Sequence, residues 1–176
     1  MSLSRQDIQG WAFVGLGSNQ GDCIGLLTAA LGRLGLLAEE GLEVSSFWGS
    51  EPVGCPVGSQ DFVNAVAGFK PRAGLLPEAC LEELHRVEQG FGRLRGGVRN
   101  APRSLDLDLL AFGDEVRSGE LLVLPHPRIA ERRFVLAPWA EVAAGFRVPL
   151  WGRTVGELLA EVPDGPRVWR VAGSAG

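Results

Sequence analysis

The chain has 176 residues, 45% of them hydrophobic and 22% charged, enough for one domain with a buried core and an ordinary balance for a globular protein. A net charge of −4 argues against a general nucleic-acid binder, and the apolar stretches are too interrupted to cross a membrane. The first ten residues lack the apolar centre of a signal peptide. The odd set Cys23, Cys55 and Cys80 has no CxxC pair, so reduced thiols and a cytoplasmic address are expected.

In chain order, residues 11–17 form an apolar run closed by glycine, which suits a buried strand. Asp22 is placed to cap a helix whose apolar face is Ile24, Leu27, Leu31 and Leu34. Residues 43–49 predict a second strand, followed by a loop carrying Pro52, Gly54, Pro56 and Gly58. Phe62–Phe69 predicts a third strand. Pro77 opens a second helix, with Cys80, Leu84, Val87 and Phe91 at helical spacing. Leu105–Phe112 alternates apolar and acidic residues, the mark of a strand. A turn at Gly113–Asp114, a short hairpin, a stiff LPHPR loop and two short helices near 134–142 and 155–161 complete the chain. The order predicts an α+β fold of ferredoxin-like βαββαβ plan, an antiparallel sheet with two helices on one face and C-terminal additions. One domain is expected over residues 11–163, with residues 1–10 and 164–176 loosely ordered.

Asp106 and Asp108 stand at positions i and i+2 of a strand, so both carboxylates face one way, about 6–7 Å apart at their Cα atoms. Such a pair suits a divalent cation shared with phosphate oxygens, although a solvated acidic face is the plainer reading of the pair alone. The preceding segment shifts that balance. Between Gly92 and Ser104 lie Arg93, Arg95, Arg99 and Arg103, interspersed with glycines and free of acids. Arginine forks match phosphate oxygens, and glycines let a loop close over a ligand. The segment Gly15–Asp22 misses the dinucleotide fingerprint by one residue, and Lys70, the only lysine, is followed by proline, which excludes a P-loop. Any bound ATP would therefore be held by arginines and metal. His126, between two prolines, suits a phosphate contact or a turn cap equally, and His85 reads as a surface residue. Phe62 and Asn64 share a strand face near Ser50, Val53 and Gly54, an arrangement that suits a flat, hydrogen-bonding heterocycle.

Taken together, GSNQGD (17–22), SSFWGSEPVG (45–54), QDFVNAV (60–66), EQGFGRLR (88–95), APRSLDLDLLAFG (101–113) and LPHPRIAERRFVLAP (124–138) resemble the 6-hydroxymethyl-7,8-dihydropterin pyrophosphokinase family. The resemblance covers residues 12–138. It implies transfer of pyrophosphate from ATP to the hydroxymethyl group of the pterin, releasing AMP, in folate synthesis. It implies two Mg2+ ions on Asp106 and Asp108, with Arg93 and Arg103 beside them as catalytic residues. The nucleotide would meet Arg95, Leu109, Val123, His126 and Arg132. The pterin would meet Ser50, Val53, Phe62, Asn64 and Phe134, and Glu88 would play a supporting part. The hydroxyl proton would go to Asp108 or to a metal-bound water. Asn100, Glu51 and Gly96 depart from the family's pattern of tryptophan, a small residue such as proline, and lysine at those positions. A monomer is expected. Two other readings are a non-catalytic ATP- or pterin-binding regulatory relative and an RNA-binding module; the latter would need exposed aromatics that neither LDLDLLAF nor QDFVNAV supplies.

Overall fold

The computed structural model describes residues 8–91 and 105–172. It is a mixed α/β structure built on one antiparallel sheet. Its strands are β1 (Ala12–Ser18), β2 (Glu43–Val44), β3 (Trp48–Ser50), β4 (Phe62–Phe69), β5 (Asp106–Phe112) and β8 (Val168–Arg170). They run in the order β5-β1-β4-β3-β8, with β2 also paired to β4. A separate hairpin joins β6 (Arg117–Ser118) to β7 (Val123–Leu124).

Two helices cover one face, α1 (Cys23–Leu34) and α2 (Pro77–Gly90). Asp22 caps α1 by accepting from Gly25 N at 3.0 Å, and Pro77 opens α2 where its missing N–H costs nothing. Their apolar sides pack Leu27, Leu34, Cys80 and Leu84 onto Val14, Leu16, Leu107 and Leu109. Full burial of a leucine side chain is worth roughly 1.5–3 kcal/mol, so this layer holds the first strand to its helices. Ile24, expected on the buried side of α1, is 42% exposed, and Ala30 fills the core position instead. Burial pushes the Cys80 thiol up to about 12, so it is an inert core residue.

The opposite face carries α3 (Arg133–Ala143) and α4 (Val155–Glu161). There Phe13, Trp139 and Phe146 form a tilted aromatic cluster with centroids 4.7–5.8 Å apart. Thr154 and Glu157 form a reciprocal capping box at the start of α4.

Three expectations need correction. The strand expected over residues 43–49 is split into β2 and β3. Four residues lead from Val44 to Trp48, but only three separate their partners Ala67 and Asn64. The surplus residue is accommodated by Ser45, whose N donates to Val66 O at 2.9 Å while its Oγ accepts from Val66 N at 3.0 Å. Next, residues 8–10 are held: Ile8 is buried, and Gln9 bridges Asp114 and the Arg147 carbonyl. Finally, the tail from Asp164 contains β8, which adds a strand to the sheet beside β3. A second irregularity lies between β1 and β5. Phe13 pairs with Ala111 and Val14 with Leu109, so Leu110 is the extra residue, and it turns with Ala111 toward the aromatic core. No helix among the described residues is long and apolar enough to cross a membrane.

Candidate active site

One cleft opens on the α3 side of the sheet and a second beside α2 at the β5 edge, and the two share part of their lining. The first, roughly 290 Å³, is lined by Gly15 and Gly17 of β1, Ser50, Glu51 and Val53 after β3, Phe62 and Asn64 of β4, and Arg132 and Phe134 before and within α3. The second, roughly 320 Å³, lies against Leu81, His85 and Glu88 of α2, Leu109 of β5 and Val123 of β7. Asp106, Asp108 and His126 border both.

The floor of the first cleft follows from strand register. Gly17 of β1 pairs with Asn64 on one side and Asp106 on the other, and Gly15 pairs with Asp108. Along these rows the central strand has no side chains, so a trough separates the carboxylates from the amide. A Cβ at Gly17 would stand 3.3 Å from Asn64 Oδ1. The two glycines of GLG therefore make room for a ligand, a role their failure to match a dinucleotide fingerprint had concealed.

Asn64 is buried and donates from Nδ2 to Ser50 Oγ at 2.9 Å and to Trp48 O at 3.3 Å. These bonds fix the amide plane and lock β4 to β3 at the cleft wall. Phe62 lies on the same strand face, and Phe134 stands across from it on α3, its ring 5.7 Å below the Arg132 guanidinium. Two aromatic faces and a clamped amide suit a planar, polar heterocycle. Val53, by contrast, is 55% exposed, at the rim.

The acid pair stands on an edge strand, because β5 closes the sheet on that side. The outward N–H of Leu107, between the two aspartates, would lack a ladder partner. Glu88 supplies one: its Oε1 accepts that N–H at 2.8 Å from a side chain 3% exposed. Arg132 Nη1 lies 3.8 Å from Asp108 Oδ2. Burial lowers the Arg132 pKa from its ordinary value, with Asp108 opposing the shift. His126 is likewise lowered by burial, raised in part by Asp108, and lowered further by Arg132 and Arg128. Its Nδ1 accepts from Arg128 N at 3.2 Å and its own N donates to Leu110 O at 2.9 Å. The histidine thus caps its turn and borders both clefts.

Of the residues singled out from sequence, the structure brings together Asp106, Asp108, His126, Arg132, Ser50, Val53, Phe62, Asn64 and Phe134 around the first cleft, and Leu109 and Val123 with the acid pair around the second. Arg93, Arg95, Arg99, Asn100 and Arg103 lie outside the described residues. His85 is exposed as expected yet stands on the wall of the second cleft, where Leu81, His85 and Glu88 recur at spacings of four and three on one side of α2. That spacing was the available signal.

The model of the family "7,8-dihydro-6-hydroxymethylpterin-pyrophosphokinase (HPPK)" matches residues 13–144. A 2-amino-4-hydroxy-6-hydroxymethyldihydropteridine pyrophosphokinase of Synechocystis is 39% identical over 164 residues, covering 92% of this chain and 80% of the relative. The enzyme of that name from Haemophilus influenzae is 38% identical, covering 87% of this chain and 93% of its own length. Among solved structures, an HPPK-DHPS in complex with substrates superposes with a TM-score of 0.62 at 11% identity over 85% of this chain. The chain spans about 43% of that structure's length, so this likeness speaks for the fold. With the family model covering the whole stretch from β1 to the end of α3, and relatives near 40% identity along most of the chain, the protein belongs to the 7,8-dihydro-6-hydroxymethylpterin-pyrophosphokinase family.

Proposed function

We propose that the pyrophosphoryl group crosses the shared wall of the two clefts, from ATP lying against Leu109 and Val123 to the pterin lying over Gly15 and Gly17. As a member of its family the chain catalyses transfer of pyrophosphate from ATP to 6-hydroxymethyl-7,8-dihydropterin, releasing AMP, in folate biosynthesis. The observation that carries the site assignment is that Asp106, Asp108 and His126 border both clefts, which is where two reacting substrates must meet.

The donor set fits magnesium. Asp106 and Asp108 offer hard oxygens on one face, and among the described residues no cluster of three or more His, Cys, Asp or Glu forms a closed metal cage. A cation that keeps one or two carboxylates and takes its other ligands from phosphates and water suits that set, and two ions are the proposed number. When bound, magnesium supplies charge neutralisation of the phosphates. Arg132 and His126 border the same wall and are assigned to the phosphate oxygens, as are Arg93, Arg95 and Arg103, which lie outside the described residues. Asn64 orients the pterin by its amide, Phe62 and Phe134 stack on it, and Ser50 and Val53 meet it through their backbone. No covalent intermediate is needed; alignment and charge neutralisation carry the chemistry. A regulatory relative without catalysis is disfavoured by the relatives, which are themselves pyrophosphokinases by name.

The strand order β5-β1-β4-β3, with β1 flanked by antiparallel neighbours, supports a ferredoxin-like plan to which α3, α4 and β8 are additions. Both cores share one sheet, which supports a single domain. Both clefts are lined from one chain, so a monomer suffices. Three free thiols suit a cytoplasmic address.

The test is product analysis after mixing the protein with ATP, magnesium and 6-hydroxymethyl-7,8-dihydropterin. AMP and the pterin pyrophosphate should appear together. ADP with a pterin monophosphate would overturn the reaction, and absence of both turnover and pterin binding would overturn the site.

A further inference from the structure

Strand β8 occupies the outer edge of β3, pairing Trp48 with Arg170, Gly49 with Trp169 and Ser50 with Val168. Backbone bonds prolong this ladder at both ends: Glu51 N donates to Arg167 O at 3.1 Å, and Val171 N to Phe47 O at 2.9 Å. A carboxylate clamps each end. At one end Glu141 of α3 accepts from Ser46 N at 2.7 Å, from Trp48 Nε1 at 3.1 Å and from Arg170. At the other, Glu51 Oε2 accepts from Arg167 N at 2.7 Å, and its Oε1 stands 4.0 Å from Arg167 Nε. Trp169 fills the space over Gly49 so closely that a Cβ there would come within 2.6 Å of the indole. The Arg167 guanidinium lies 5.3 Å over the same ring.

The Glu51 end is the one that matters to the first cleft. Ser50, Glu51 and Val53 are consecutive parts of its wall. Beyond them the loop bonds locally, Ser59 N and Oγ both donating to Pro56 O and Cys55 Sγ to Val53 O. The start of this loop is tied to the sheet through Glu51 and β8. Glu51 also stands where the family pattern has a small residue, and its side chain bonds Arg167, the residue that leads into β8.

We infer that Glu51 and β8 together form a positioning element for the pterin subsite, holding the Ser50–Val53 wall at the height the heterocycle requires. The inference rests on the reading of the first cleft as that subsite. Glu51 acts through the backbone of its neighbours and through Arg167; Trp169 acts through Gly49 and does not line the cleft, so a loss on changing it is not a lost ligand contact.

Steady-state kinetics of the full chain tests this, with pterin and ATP varied separately. Glu51→Ala should raise the pterin KM about tenfold, the scale of one charge-assisted hydrogen bond, while kcat and the ATP KM change by less than about twofold. Glu51→Gln keeps an acceptor oxygen for Arg167 N and should recover most of the loss. Trp169→Ala should raise the pterin KM similarly, and the double variant should be no worse than the poorer single, because both changes release the same ladder. Glu51 is exposed, so its variants retain the fold and decide the matter even where Trp169→Ala does not fold. An unchanged pterin KM in Glu51→Ala, an equal rise in both KM values, or fully additive losses would each overturn the positioning role. Wild type without pterin-dependent turnover would instead sink the subsite reading; wild-type turnover with indifferent variants sinks the positioning alone.

Discussion

Asp106 and Asp108 differ from the chain's other acids in what lies beside them. Across β1 their row neighbours are glycines, and Arg132 approaches Asp108 from α3 without closing on it. Replacing either carboxylate by its amide keeps the strand's shape but removes a charge from the shared wall. Asp106→Asn and Asp108→Asn should each lower magnesium-dependent turnover by at least about 100-fold with the melting temperature little changed. Near-normal turnover in both would refute the metal assignment. Glu88 works one step back. Its buried carboxylate holds Leu107 N, so Glu88→Ala should cost about 1–3 kcal/mol in denaturant unfolding and lower turnover together, since the edge strand loses its anchor between the aspartates. Unfolding stability equal to wild type would show that the bond is dispensable. The acid pair was legible from sequence because a strand's period of two is strict. The glycine trough was not, because its meaning depends on which strands flank β1.

At the scale of elements, the α-helices and longer strands described between residues 12 and 161 lie close to where the pattern of apolar residues puts them. The failures are bulges. Ser45 and Leu110 each insert a residue into a ladder, and local pattern does not reveal a surplus that is defined only against a partner strand. The β2–β3 bulge recruits Glu141, and this has a pH signature. Burial works to raise the Glu141 carboxyl, but hydrogen bonds from Ser46 and Arg170 outweigh it and hold the group below its ordinary 4.5. Folding thus keeps Glu141 ionised where the unfolded chain would take up a proton. Its stabilisation is complete above pH 4.5 and is lost as the pH falls below that value. In denaturant titrations at descending pH, wild type should lose more stability than Glu141→Gln between about pH 5 and 3. Parallel curves would show that the carboxylate is not coupled to folding.

At the scale of the molecule, one sheet separates two cores, and the α3 side gives up part of its apolar cover to the first cleft. The segment from 12 to 138 announced itself in sequence because it carries the motifs. Strand β8 did not, since three residues flanked by Pro166 and Gly173 have no period to read, and only the open edge of β3 makes them a strand. The common border of the clefts constrains the energetics of the whole. Asp106 and Asp108 present charge, and His126 a polar ring, to whatever fills either side, so a ligand in one cleft alters the field met by a ligand in the other. Linkage then requires the effect to be mutual: the factor by which bound nucleotide changes pterin affinity equals the factor by which bound pterin changes nucleotide affinity. Among the described residues that wall is Asp106, Asp108 and His126, and the coupling it carries is one quantity, readable from either ligand.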